Sequence, residues 1–86
     1  MPEISRFYGI IIYLYVGDHN PPHIHAMYNE FEILIDIQNK IILEGEFPKR
    51  AQRLVLQWVD IHELELLANW ENAKNKKDIF KITPLK

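Results

Sequence analysis

Three histidines and an aspartate fall within eight residues, Asp18-His19-Asn20-Pro21-Pro22-His23-Ile24-His25. In an extended segment residues two apart point to one face, with Cα atoms about 6.5–7 Å apart. His23 and His25 then direct two imidazoles at one spot. Pro21 and Pro22 stiffen the approach, since each fixes φ near about −65°. Three kinds of chemistry fit this pattern. The first is a divalent transition metal, because neutral imidazole is a common ligand for zinc, nickel, copper and iron. A catalytic zinc ion takes about three protein ligands and a water. His23 and His25 supply two; His19, Asp18 or His62 is the candidate third. The second is acid–base catalysis, since imidazole exchanges protons at neutral pH. Such a pair cleaves RNA when a cation stabilises the phosphate, and Lys49, Arg50 and Arg53 are the candidate cations for an anion or a nucleic acid. In the third, the histidines are structural and bond only to backbone carbonyls or to Asp18. Asp18 is also suited to orient a histidine through its second ring nitrogen.

The elements that must position these residues change period halfway along the chain. Gly9–Val16 is β-branched and aromatic, as a strand requires, and its near-continuous apolarity suggests burial on both faces. Gly17–Pro22 is a turn. His23–Tyr28, Phe31–Ile37 and Ile41–Glu44 follow as strands, separated by Asn29-Glu30 and Gln38-Asn39-Lys40, an antiparallel meander. Pro48 suits the first turn of a helix. Ala51, Leu54, Val55, Trp58 and His62 keep helical spacing. An unbroken helix from Pro48 to Asn75 would be about 42 Å long, too long for a domain with a radius of gyration near 12 Å. A break near Val59–His62 is expected, with Asp60 capping a second helix and Glu63 completing a capping box. Ile79–Ile82 alternates as a short last strand. The expected fold is α+β: an antiparallel sheet of four to five strands, with one long kinked helix or two helices on one face. One domain is expected over 1–86, divided into a β meander at 1–47, a helical part at 48–77 and a short strand and tail at 78–86.

Eighty-six residues, 48% of them hydrophobic, fit one packed domain. A net charge of −2 argues against a general polyanion binder. The chain has no cysteine, which excludes disulfides, thiolate ligands and a cysteine nucleophile. No apolar run approaches the ~20 residues of a membrane span. Met1-Pro2-Glu3-Ile4 lacks the basic region and apolar core of a signal peptide, so a cytoplasmic protein is expected. Two tryptophans on a small core lead us to expect a homodimer or a hetero-complex.

Several blocks of the chain resemble a bacterial family. They are Ile4-Ser5-Arg6-Phe7-Tyr8-Gly9-Ile10, the Asp18–His25 block itself, Pro48-Lys49-Arg50-Ala51, Leu54–Trp58 and Leu66–Trp70. The family is the small domain-of-unknown-function family 4160, and the match runs over nearly the whole chain. Ile24 stands where the family pattern leads us to expect phenylalanine, a difference of packing rather than chemistry. The resemblance implies a stand-alone protein encoded beside another small protein, in the manner of a toxin–antitoxin or regulatory pair. It assigns no catalytic residues. Three functions therefore stand side by side. One is an interaction or regulatory module with a histidine-lined groove beside Lys49, Arg50 and Arg53. Another is a small metal-dependent hydrolase or ribonuclease using His23 and His25. The last is a structural domain that oligomerises through apolar surface.

Overall fold

A computed structural model of the protein describes residues 2–15, 17 and 19–86. Five strands run in chain order through one antiparallel sheet: β1 (Glu3–Phe7), β2 (Ile10–Tyr13), β3 (His23–Tyr28), β4 (Phe31–Asp36) and β5 (Ile42–Gly45). Two helices follow, α1 (Lys49–Ile61) and α2 (Glu63–Lys74). Local chemistry fixes the hairpins. Tyr8 and Gly9, at φ 50° and 80°, link Phe7 to its partner Ile10 in two residues, the tight turn that matches strand twist. Asn29-Glu30 links Tyr28 to Phe31 in the same way, with Asn29 at φ 53°.

Period-2 alternation then divides the sheet into two faces. Phe7, Ile10, Ile12, Ile24, Ala26, Ile33 and Ile35 are buried in one core with Ala51, Val55, Trp58 and Val59 of α1 and with Leu66, Trp70 and Ala73 of α2. Strand pairing puts Ile12 beside Ala26, Ala26 beside Ile33 and Ile24 beside Ile35, all on this helix-covered side. The opposite side carries Ile11, Tyr13, His25, Met27 and Leu34, none of them fully buried. The Gly9–Val16 run is thus packed by helices on one side only. Ile11 and Tyr13 are shielded by their strand neighbours, and Val16 lies outside the described residues.

The helical break falls at His62, whose φ of −109° and ψ of 24° interrupt the run between α1 and α2. The longest dimension of the molecule is 34 Å, so an unbroken helix of about 42 Å would project from it. Asp60 does not cap the second helix. It lies inside α1, and His62 takes the cap position. Glu63 and Glu65 sit in the first turn of α2, where negative charge suits the helix dipole. Pro48 likewise precedes the first turn of α1 rather than occupying it.

One strand is additional to those expected, and one expected strand is corrected. Glu3–Phe7 forms a strand at one edge of the sheet, while Ile79–Ile82 does not form one. The buried Asn69 side chain explains the second: its Nδ2 donates to Phe80 O at 2.8 Å and its Oδ1 accepts from Phe80 N at 3.0 Å. A side-chain amide thus takes up the backbone groups that a sheet partner would use. Farther on, Ile82 N donates to Ile4 O at 2.8 Å, which holds the tail along β1.

At the other edge, Gly45 has φ +87°, and a Cβ there would stand 2.1 Å from Glu32 O. Gly17 has the same φ with nothing within 4 Å. Gly45→Ala should therefore cost about 2–4 kcal/mol and Gly17→Ala about 1 kcal/mol. Urea unfolding of both variants checks this; equal losses would mean that backbone conformation alone matters at Gly45.

Candidate functional site

His23 opens β3 and His25 lies two residues on, so the strand period places both rings on the side that the helices leave uncovered. The turn before them is anchored by Ile37 N, which donates to Pro22 O at 3.0 Å. His23 Nδ1 donates to Pro21 O at 2.8 Å. His25 Nδ1 lies 3.3 Å from Glu32 Oε2. A carbonyl or carboxylate at Nδ1 requires a proton there, so in each neutral ring Nε2 is the acceptor nitrogen. The ring centroids are 5.5 Å apart.

Aromatic rings flank the pair on both sides. Tyr15 meets His25 edge-on at 4.1 Å and approaches Tyr13 at 6.5 Å. Trp70 of α2 lies 5.1 Å from His23 at the end of the sheet where β3 begins. The result is a row of rings in the order Tyr13, Tyr15, His25, His23, Trp70. Across the sheet from His23 stands Asp36, which is buried. Its Oδ1 accepts from Gln38 N at 2.9 Å and Asn39 N at 3.0 Å, and its Oδ2 accepts from Asn39 Nδ2 at 3.0 Å. Burial pushes the Asp36 carboxyl up. The bonds from Asn39 and Gln38, with the neighbouring His23, outweigh that and hold it below the usual carboxylate range. At the following turn Lys40 reaches Glu63 and lies 3.8 Å from Asp60, tying the β4–β5 turn to the junction of the helices.

The remaining candidates are spread over the molecule. His19 is exposed in the turn, and Asp18 lies outside the described residues. His62 has its own surroundings: its Nδ1 is 2.6 Å from Glu65 Oε1 and its ring is 5.4 Å from that of Trp58. Among the described residues, no group of three or more His, Asp and Glu side chains stands close enough to share a metal ion. Lys49, Arg50 and Arg53 lie at the other end of the sheet. Arg50 lines a cleft of about 290 Å³ with Tyr8 and Tyr28, and Tyr28 is separated from His23 by the length of β3, about 17 Å. A single groove lined by the histidines and these cations is therefore not formed. Among the described residues, Glu44 and Glu46 make no ion pair with the three cations.

Sequence reasoning missed four neighbours of the histidines. Glu32 was within reach: the two-residue turn at Asn29-Glu30 fixes the register His25↔Leu34, which makes Glu32 a diagonal neighbour. Asp36 follows from the same register. Tyr15 lies beyond the end of β2, and Trp70 is brought in by α2, so neither contact has a local signal.

Because its native carboxyl is depressed, Asp36 stabilises the fold above the ordinary carboxylate pKa of about 4, and that contribution fades as pH falls through the lower native value. Asp36→Ala should lose about 1–3 kcal/mol at pH 7, and less at pH 3. Urea unfolding at both pH values measures this; an equal deficit at the two would show that the charge contributes nothing.

Comparison with known proteins bears on the whole arrangement. No curated protein and no solved structure matches the chain. One family model matches residues 9–71, which takes in β2 to β5, the histidine segment, α1 and most of α2. The chain belongs to the family described as Domain of unknown function (DUF4160).

Proposed function

We propose that the protein is a binding module, one half of a two-protein regulatory or toxin–antitoxin-like pair, and that it meets its partner through the sheet face centred on His23 and His25. The observation that carries this reading is the row Tyr13, Tyr15, His25, His23 on the side of the sheet away from the helices, closed at the end of the sheet by the buried Trp70 of α2. Half-buried Ile11, Met27 and Leu34 extend the face as apolar surface. Aromatic side chains and methionine are the types enriched at the cores of protein interfaces. The Nδ1 contacts to Pro21 and Glu32 fix both imidazoles before binding, which reduces the ordering cost of association. Nucleic acid suits this face less well. Glu32 and Glu44 lie along it, and its arginine, Arg6, is paired with Glu3 at 2.9 Å. RNA cleavage by the pair also needs a cation beside it, and Lys49, Arg50 and Arg53 are at the far end of the sheet.

A metal site is the second reading, and one observation favours it. Two imidazoles bound through Nε2 to one tetrahedral ion, with metal–nitrogen distances of about 2.0–2.1 Å, have centroids about 5 Å apart, against the 5.5 Å found here. The Nδ1 contacts are also those that orient metal-binding histidines. Such an ion would support a hydrolase or would clamp the partner.

The test is co-expression with the small neighbouring protein that the family resemblance implies. The two should co-purify, and Tyr13→Ser or His25→Ala should weaken the complex by tenfold or more while thermal unfolding of the free protein moves by only a few degrees. Undiminished binding by both variants would remove this face from the interface. Titration of untagged protein with zinc or nickel decides the second reading: an increase in thermal stability that His23→Ala abolishes supports it, and no increase ends it.

A further inference from the structure

We propose that the outer edge of β5 and the cleft between β5 and α1 form a second binding site, which takes an extended acidic peptide segment as a sixth strand. This site includes neither the histidines nor the face they occupy. β5 is the last strand of the sheet, paired only with β4 among the described residues. A strand in that position presents backbone N–H and C=O groups that another chain can pair with. Ile41 and Leu43 on this segment are 52% and 39% exposed, apolar surface beyond what an ordinary solvated edge carries.

Beside the edge lies a cleft of about 660 Å³, lined by Ile42, Gly45, Glu46 and Phe47 on one side and Lys49, Gln52 and Arg53 on the other, so that two cations outnumber one carboxylate. Lys49 and Arg53 are four residues apart on α1 and so lie along the same helix face. Neither makes an ion pair among the described residues. Pairing with β4, which skips Leu43 at a register shift, then specifies the ligand. Ile42 pairs with Ile35 and Gly45 with Ile33, on the helix side of the sheet, whereas Glu44 pairs with Leu34 on the other side. An added strand would point alternate side chains into the cleft towards Lys49 and Arg53, and the intervening ones towards Glu44. The fitting segment is therefore acidic at alternate positions and uncharged or basic between them.

The same charges argue against a second copy of this chain. Antiparallel pairing of β5 with itself would bring Glu44 close to its own counterpart across the symmetry axis, and like charges in that relation are destabilising. The edge is also only four residues long. Short, charged edges are the usual guard against self-association, and this one remains open to a strand of complementary charge.

Two blocked hexapeptides test the proposal, one alternating Glu with Val and one alternating Lys with Val. The Glu peptide should bind, slow hydrogen exchange of amides in Ile42–Gly45, and lose about fivefold or more in affinity with Arg53→Glu or at high salt. A Glu peptide N-methylated at alternate residues, and so unable to complete the ladder, should not bind. Since Arg53 is exposed, its replacement leaves the core intact, and unchanged thermal unfolding checks that. Equal binding of the Lys peptide, undiminished binding by Arg53→Glu, or binding without protection of the β5 amides would overturn the proposal. So would a dimer joined through β5 in sedimentation, which would assign the edge to a second copy.

Discussion

The indole of Trp58 is the contact on which most of the molecule converges. Its side chain is fully buried, its ring lies 5.4 Å from Phe7 of β1, and its Nε1 donates to Thr83 O at 2.8 Å. One residue of α1 therefore joins the first strand, the helical layer and the C-terminal tail. Burying a large aromatic ring contributes several kcal/mol, and truncating one typically costs about 3–5 kcal/mol. The bond to Thr83 matters for another reason, since a buried indole N–H without an acceptor would itself be a penalty. The tail follows an irregular path because it answers to such side chains, Trp58 and Asn69, more than to a strand neighbour.

Packing both helices on one side of the sheet has a chemical result. It separates the imidazoles from the basic start of α1. The imidazoles, Glu32 and Glu44 occupy the open side of the strands. Lys49, Arg50 and Arg53 stand at the start of α1, by the turns that contain Tyr8 and Asn29. The imidazoles and these cations thus stand about a strand length apart, while Glu46 shares a cleft with Lys49 and Arg53. Each place can recognise a different kind of chemistry without interfering with the other.

The sequence made the meander legible because its signals were local. The Asn29-Glu30 turn sets a register, alternation marks the buried side, and the spacing of His23 and His25 places two rings together on one face. The break at His62 could be anticipated from geometry, since no compact body of this size holds a helix of twenty-eight residues. What escaped was either weakly signalled or non-local. Glu3–Phe7 pairs with β2 through a hairpin whose turn, Tyr8-Gly9, carries little of the usual Asn or Asp signal. Ile79–Ile82 alternates like a strand but lies against a buried amide that no local pattern reveals. Lys49, Arg50 and Arg53 suggested a site near the histidines because charge and distance along the chain say nothing about which end of a strand a helix begins over.

Contact between His23 and Trp70 has an optical consequence. An imidazolium ring held against an indole quenches its fluorescence, and here the two centroids are 5.1 Å apart. The emission of Trp70 is thereby coupled to the charge on the histidine pair, whether a proton, an ion or a bound molecule alters it. Trp58 has a similar neighbour in His62 at 5.4 Å, so each of the two tryptophans reports on a different histidine.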